Sequence, residues 1–345
     1  MPHDQIDSMD YKQAGVDIAA GEKAVKAIKD KVRGTYSKNV LSELGSFGGL
    51  YRVDKQTWKN PILVASTDGV GTKILVALAA GIYDTVGQDL VNHCVNDILV
   101  QGAIPQFFLD YIGVGKLDPQ AIEKIIDGFV KACSENDCAL IGGEMAEMPG
   151  LYHGHDFDLA GTIVGMVEED QILPRKNIAA GDVLIGLPSS GLHTNGFSLA
   201  RKVLFERMGL RVDSYLDDLG TSLGEALLQV HRSYLPQMKE FLPDTRLHAL
   251  AHITGGGIAG NLARVLPEGL VAQIRLDDAD IPAIFQIIAR GGHVQQDVMR
   301  QSFNLGIGMI AVCEPGLADE LVRRCSGQML GTLSRSKADQ KVCFV

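Results

Sequence analysis

Asp68 and Lys73 stand at the two ends of a glycine-rich stretch, Asp68-Gly69-Val70-Gly71-Thr72-Lys73, preceded by Ser66 and Thr67. The stretch follows an apolar run and precedes a helical pattern, the place where backbone N–H groups cradle a phosphate. It matches neither familiar phosphate loop. The GxxxxGK[ST] pattern lacks its upstream glycine here, and the dinucleotide fingerprint needs a third glycine where Ile74 stands. A carboxylate beside a phosphate repels it unless a cation lies between them. The chemistry is therefore that of a Mg²⁺-nucleotide site, with Asp68 toward the metal, Gly69, Gly71 and Thr72 along the phosphates, and Lys73 as an added cation. A tight turn whose aspartate caps the next helix is the alternative.

Four further groups carry chemistry. Asp89, His93, Asn96 and Asp97 share the polar face of a predicted helix. Asp89 and Asp97 lie about 12 Å apart along such a helix, too far to chelate one ion together. Asp97 falls near the predicted C-terminal end, where a carboxylate opposes the helix dipole, and that favours a bound cation; a merely solvated helix face is the ordinary alternative. Glu144 and Glu147 follow an apolar strand beside Gly142 and Gly143, and Glu144 is the candidate third metal ligand. His153 and His155 alternate nearby and read as loop histidines, because an HxH pair without further ligands is weak. In the second half, Ser189-Ser190-Gly191-Leu192-His193-Thr194-Asn195-Gly196 joins a strand to a helix, with Thr194 or Asn195 as N-cap. His193 has the type and setting of a general base or an anion contact. Ser190 lacks the GxSxG elbow of a nucleophile. Thr254-Gly255-Gly256-Gly257 offers a row of N–H groups to a second phosphate, with a plain glycine turn as the alternative.

The elements that must hold these residues follow from pattern. Short β-type runs occur at 61–66, 107–114, 158–167 and 183–187. Between the first two, apolar residues at helical spacing span 86–101, and Ile122, Ile125, Ile126, Phe129 and Val130 mark a second helix with Asp118 as N-cap and Pro119 at its first position. The polar stretch 168–181 marks a domain boundary and divides the chain into 1–170 and 171–345. The second half repeats the grammar, with a helix from Phe197 to Met208, a helix from Gly224, a helix ending before Pro267, another over 282–290, and strands at 270–276 and 305–312. The class is α+β.

Length and composition agree with two packed domains. The chain has 345 residues, 46% hydrophobic and 21% charged, ordinary globular values that exclude a disordered or collagen-like chain. A formal charge of −10 argues against a general nucleic-acid or anionic-membrane surface, though not against a local phosphate site. No apolar run reaches the roughly 18 residues of a membrane span and no secretory layout opens the chain, so a cytoplasmic location is expected. Cys94, Cys133, Cys138, Cys313, Cys325 and Cys343 form no CxxC pair, so reduced core cysteines are expected and not a zinc or disulfide framework.

Taken together, YKQAGVDIAAG (11–21), STDGVGTK (66–73), VNDILVQGA (95–103), FFLDY (107–111), GGEMAEMPGLYHG (142–154), SSGLHTNGFSL (189–199) and ITGGG (253–257) closely resemble the phosphoribosylformylglycinamidine cyclo-ligase family. The resemblance runs in order from about Tyr11 to near the C-terminus. It implies closure of the imidazole ring in purine biosynthesis: formylglycinamidine ribonucleotide and ATP become aminoimidazole ribonucleotide, ADP and phosphate. In the implied chemistry ATP phosphorylates the formyl oxygen, the ribosylated nitrogen attacks the activated carbon, and phosphate leaves. Carried onto this chain, Mg²⁺ lies near Asp68, Asp97 and Glu144, with Lys73 on the phosphates. His193 then assists proton removal or stabilises the phosphoryl group, and Asn195 orients the substrate. The family also implies a homodimer whose β-rich N-terminal domains form a shared barrel, an α/β sandwich as C-terminal domain, and mobile covers at Gly15, Asp17 and Gly21 and at 45–49.

Other branches fit less well. Selenophosphate synthetase needs a reactive cysteine in the N-terminal glycine-rich region, and the first cysteine here is Cys94. Thiamine-phosphate kinases and hydrogenase-maturation proteins share an aspartate-rich site but not the SGLHTNG and AEMPGLYHG phrases. A catalytically silent nucleotide-binding subunit is the alternative of a different class, favoured had Asp68, Asp97 or His193 been missing.

Overall fold

In the computed structural model, which describes residue 15 and residues 17–345, two open sheets pack on opposite sides of one buried helix. Part of the YKQAGVDIAAG phrase, residues 11–14 and 16, lies outside the described residues. The N-terminal half contains helix α1 (Ile18–Arg33), strand β1 (Pro61–Gly69), α2 (Ile74–Ala80), α3 (Asp84–Leu99), β2 (Ile104–Val114), α4 (Pro119–Glu135), β3 (Ala139–Glu147) and β4 (Phe157–Glu168). Its sheet has the order β1-β4-β2-β3, antiparallel except for the parallel β2/β3 pair that α4 connects.

Strand alternation gives this sheet two unlike faces. Phe108, Ile112, Leu159 and Ile163 point to the helices and are buried. Leu63, Ala65, Phe107, Leu109, Tyr111 and Val164 occupy the other face, and none of them is buried. α4 begins as expected: the Asp118 side chain accepts from Gln120 N–H, and Pro119 takes the first turn. β1 runs three residues beyond the expected 61–66 because its pairing with β4 continues to Gly69↔Ala160, and this carries Asp68 onto the strand.

The C-terminal half is built on a six-stranded sheet. In chain order its elements are β5 (Val183–Pro188), α5 (Phe197–Arg201), a hairpin of β6 (Tyr215–Leu216) and β7 (Thr221–Ser222), α6 (Leu223–Leu227), α7 (Leu235–Met238) and β8 (Leu247–His252). Then follow α8 (Gly257–Val265), β9 (Leu270–Ile274), α9 (Ala283–Gly292), α10 (Gln296–Ser302), β10 (Ile307–Cys313), α11 (Pro315–Cys325), β11 (Gln328–Arg335) and β12 (Val342–Phe344). The sheet order is β12-β9-β11-β5-β10-β8. The expected helix 197–208 keeps its length but turns π-helical over Lys202–Arg207, and the helix expected from Gly224 is a short one closed by a Ser222/Glu225 capping box.

One face of this sheet closes over α8 through Ile258 and Leu262, a core of its own with Leu184, Ile310 and Val312. The other face, with Ile185, Leu187, Leu250 and Met309, belongs to the same contiguous core as Leu90, Cys94 and Ile98 of α3. The halves are thus joined by burial. The architecture is a mixed α/β fold of two sheet-based halves, and neither sheet closes into a barrel within the chain. Five of the six cysteines are buried, Cys343 is half-buried, and all six are free. Among the described residues no helix is long and apolar enough to cross a membrane.

Candidate active site

Helix α3 sits between the halves with thirteen of its sixteen residues buried. Its polar face, read from the sequence as favouring a cation with a solvated face as the alternative, is an interface between the halves. Asp89 and Asn96 are fully buried and Asn92 and His93 nearly so, which polar groups tolerate only with partners. The partners come from residues 229–234, an irregular strap between α6 and α7. Asp89 Oδ1 accepts from His231 N–H at 2.7 Å, Asn92 Nδ2 donates to His231 O at 2.8 Å, Asn96 Nδ2 donates to Arg232 O at 2.8 Å, and Asn96 Oδ1 accepts from Tyr234 N–H at 3.0 Å.

At the outer end of this interface lies a cluster of four histidines and two aspartates. His93 Nε2 stands 3.0 Å from Asp68 Oδ2 and 3.8 Å from Asp97 Oδ2, and His252 Nδ1 meets Asp97 Oδ1 at 2.9 Å. Thr194 Oγ1 bridges His93 Nδ1 at 2.8 Å and His231 Nδ1 at 3.3 Å, while His231 Nε2 meets His252 Nε2 at 3.0 Å. The His193 ring stacks on His231 with centroids 4.0 Å apart. Ser66 Oγ donates to Asp97 Oδ2 at 3.2 Å. β1, α3, the 189–196 loop, the strap and the end of β8 each contribute a member, so the site forms only when both halves meet.

The electrostatics follow from burial and pairing. Burial, the largest single influence, would lift the carboxyls of Asp68 and Asp97, but the hydrogen bonds from His93 and His252 together with the charges of those rings outweigh it and hold both below the usual carboxylate range. Burial works against a charged His93, yet Asp68 and Asp97 on the same nitrogen raise it above an ordinary histidine. His193 and His231 face the opposite balance. Burial, reinforced by the neighbouring histidines and by Lys73, pushes both well down, so both are neutral.

His193 is placed in a specific way. Its backbone is left-handed at φ +60°, a conformation costly for a residue with a Cβ. Ser190 N–H donates to His193 Nε2 at 3.2 Å, so the neutral ring carries its hydrogen on Nδ1, and Nδ1 is buried with no partner among the described residues. Asn195 is held likewise: its Oδ1 accepts from Gly255 N–H at 3.0 Å, leaving Nδ2 buried and unpartnered. Two unsatisfied donors thus project from one loop. The helix cap there is Gly196, neither Thr194 nor Asn195.

Several sequence expectations require correction. Lys73, expected on the phosphates, is fully buried; its Nζ lies 2.7 Å from Asp89 Oδ2 and donates to Gln229 O at 2.7 Å. Burial pushes Lys73 down and Asp89 up, and each opposes that shift in the other, with the His231 N–H bond also favouring a charged Asp89. Gly255, Gly256 and Gly257 do not form a row of free donors, because their N–H groups already bond Asn195 Oδ1, Gln301 O and Thr254 O, each at 3.0 Å. The triplet is there for packing: a Cβ on Gly257 would fall 1.7 Å from Arg300 O. Glu144 and Glu147 lie within β3, not beyond it, and β3 is three strands from β1, roughly 14 Å at ordinary strand spacing. Glu144 therefore does not join Asp68 and Asp97. Glu147 instead accepts from Leu117 N–H and Asp17 N–H.

Other expected residues remain in reach. Gly69 N–H bonds Asp68 Oδ1 at 2.7 Å within β1, and Asp68 caps no helix. Thr72 Oγ1 pairs with Ser198 Oγ at 3.0 Å, which ties the 66–73 loop to the start of α5. His153 and His155 are exposed loop residues. Asp17 caps α1, and the 45–49 loop carries a fully exposed Phe47.

For a metal, two groups among the described residues bring three ligand atoms within 4.8 Å of one another: His93, Asp97 and His252, and His193, His231 and His252. Mg²⁺ takes oxygen, not nitrogen, and the oxygens here are the carboxylates of Asp68 and Asp97, which converge on His93 and keep part of their surface open. As oxygen donors they suit a hard cation in kind, but Asp68 belongs to neither three-ligand group, so the two carboxylates do not converge on one point as a closed metal site does. Sequence reasoning missed His231 and His252. HALAHI directly before the ITGGG phrase was the available signal for His252, whereas His231 lies in an unpatterned segment with none.

Residues 50–167 match the family described as AIR synthase related protein, N-terminal domain, and residues 179–333 its C-terminal domain. Curated relatives include phosphoribosylformylglycinamidine cyclo-ligases from Alkaliphilus metalliredigens, 47% identical over 91% of this chain and 90% of that protein, and from Sorangium cellulosum, 50% identical over 91% of each. Similar solved structures include a thiamine-monophosphate kinase from Stenotrophomonas maltophilia, with TM-score 0.65, 19% identity and coverage of 92% of this chain and 95% of that one. Another is the hydrogenase maturation protein HypE in complex with ATP, with TM-score 0.62, 16% identity and coverage of 94% and 90%. At those identities the two structures speak for the fold alone.

Proposed function

The chain belongs to the AIR synthase related family, as a member of its phosphoribosylformylglycinamidine cyclo-ligase branch, and from that premise we propose how its own residues perform the ring closure. The reaction joins ATP hydrolysis to C–N bond formation: formylglycinamidine ribonucleotide and ATP give aminoimidazole ribonucleotide, ADP and phosphate. An amide oxygen is a poor leaving group; phosphorylated, it departs as phosphate once the amine nitrogen has attacked the adjacent carbon. The protein's work is alignment and charge stabilisation.

The observation that carries the assignment is the pair of unpartnered donors on the 189–196 loop beside the aspartate–histidine cluster. Because Ser190 N–H fixes His193 with its hydrogen on Nδ1, and burial keeps the ring neutral, His193 acts as a donor to the transferring phosphoryl oxygens and not as a general base. Asn195 Nδ2 is the second donor, orienting the substrate. Asp68 and Asp97 would hold Mg²⁺, which when bound supplies positive charge for the phosphates of ATP. Gly69, Gly71 and Thr72 line the approach to those phosphates. Gly255 acts at one remove by aiming Asn195, and Gly256 and Gly257 shape the turn that lets it. The exposed 45–49 loop serves as a cover.

We further propose that the functional unit is a homodimer in which the open sheet face of one chain, with Leu63, Phe107, Leu109 and Tyr111, packs against that of a second copy in a shared barrel. Apolar, incompletely buried residues along one face of a four-stranded sheet support this. The 1–170 and 171–345 division and a cytoplasmic location complete the reading.

The test is ADP release with Mg²⁺-ATP, with and without formylglycinamidine ribonucleotide, alongside a direct assay for aminoimidazole ribonucleotide. Equal, substrate-dependent amounts of the two products support the assignment; ATP binding without turnover would place the chain among silent subunits.

A further inference from the structure

We propose that Lys73 and Asp89 are positioning residues for His193, acting through the strap 229–234 and not through the nucleotide. The inference rests on the ring-closure reading of His193 and extends it to a buried ion pair that touches no phosphate.

The path is continuous. Lys73 Nζ donates to Gln229 O and Asp89 Oδ1 accepts from His231 N–H, so the pair grips the strap at its first and third residues, at 2.7 Å each. The strap then holds the loop that carries His193. Ser190 Oγ donates to Val230 O, Arg232 Nη1 donates to Pro188 O at 3.1 Å, and Tyr234 Oη donates to the same carbonyl at 3.0 Å. Ser190 N–H in turn bonds His193 Nε2, the contact that sets its tautomer and leaves Nδ1 free. From the other side the strap stacks His231 on the His193 ring. Lys73 Nζ also stands 5.6 Å from the centre of the Phe197 ring, behind the same loop.

Lys73 has no route to a ligand in this arrangement. Both side chains are fully buried, and an unpaired charge there is strongly disfavoured, so removing the lysine alone strands a buried carboxylate. An Asp89 that stays charged must then turn toward water, and it gives up its bond to His231 N–H in doing so. An asparagine at 89 retains the accepting oxygen without the charge. The two roles for Lys73 are therefore separable by substitution.

The experiment measures kcat and the KM for ATP in K73M, in K73M/D89N and in K73M/H193A, beside wild type and H193A, with circular dichroism to confirm folding. The positioning role predicts that K73M lowers kcat at least ~10-fold with the KM for ATP within about twofold. It also predicts that K73M/D89N restores kcat to within about threefold of wild type, and that H193A costs much less in the K73M background than alone, because the two act in one path. A rise of ~10-fold or more in the KM for ATP that persists in K73M/D89N would overturn it and return Lys73 to the phosphates. Equal costs of H193A in both backgrounds would overturn it too. If K73M does not fold, K73M/D89N decides, since a phosphate contact would be missing there while the oxygen at 89 that accepts from His231 N–H would be kept. Absence of ring closure by wild type itself would instead count against the function and not against the pairing.

Discussion

At residue scale the site depends on which polar groups lack partners as much as on which have them. His193 Nδ1 and Asn195 Nδ2 are buried donors with none, and such groups cost free energy unless a ligand supplies the acceptor. His193→Ala and Asp97→Asn are each expected to leave a folded protein and to lower turnover at least ~100-fold, measured as kcat for aminoimidazole formation. Turnover near wild type in either variant would remove that residue from the mechanism. A second residue prediction concerns pH. Asp110 is half-buried on the helix side of β2 opposite Gly143, where a Cβ would fall 2.2 Å from its Oδ1, and desolvation, with the Glu144 charge adding to it, raises its carboxyl to about 7. Its folded pKa lies above the unfolded one, so folding is penalised increasingly as pH rises from about 4 to about 7 and by a constant amount above that. Asp110→Asn should therefore melt above wild type at pH 8, by an amount on the order of 4 kcal/mol at most, with the gain shrinking toward pH 4. A gain independent of pH would show that Asp110 is already ionised in the folded state.

At the scale of elements, α3 is the organiser. Its apolar residues fuse the cores of the two halves, and Asp89, Asn92 and Asn96 grip the backbone of the strap. Asn96→Ala removes two buried hydrogen bonds and leaves Arg232 O and Tyr234 N–H unpaired; a loss of roughly 2–4 kcal/mol by denaturant unfolding is expected, together with reduced kcat. Asp118→Ala is the contrast. It removes the cap of α4 far from the cluster, so about 1 kcal/mol of stability should go while kcat stays unchanged. The same contrast explains what was legible beforehand. α4 declares itself through Asp118, Pro119 and a clean apolar stripe, all local signals. α3 was recognisable as a helix, but its polar face looked like a solvated one, because nothing local distinguishes a polar residue facing water from one facing another chain segment. Asp68 and His193 were legible because glycine-rich loops announce them, and Asp97 because it opposes the dipole near the end of its helix; His231 was not, because the strap carries no periodicity and its partners lie more than 130 residues away. Lys73 was placed on the phosphates by loop grammar, and only the packing of Asp89 beneath it reveals the buried pair.

At the scale of the whole molecule, the site exists only when the N-terminal and C-terminal halves close on α3, and the open sheet face is the one proposed to pair with a second copy. Leu109→Glu and Leu63→Glu place charge on that face without touching the histidine cluster. Each is expected to shift the protein from dimer to monomer in sedimentation experiments at micromolar concentration, and an unchanged dimer would move the interface elsewhere. The central claim is that this assembly activates a formyl oxygen by phosphorylation before closing the ring. The most direct measurement is a single-turnover reaction with formylglycinamidine ribonucleotide carrying ¹⁸O in its formyl group, followed by mass analysis of the phosphate released. The account predicts one ¹⁸O in each phosphate formed, matched to aminoimidazole ribonucleotide and ADP. Ring closure accompanied by unlabelled phosphate, with the ¹⁸O released to water, would contradict it.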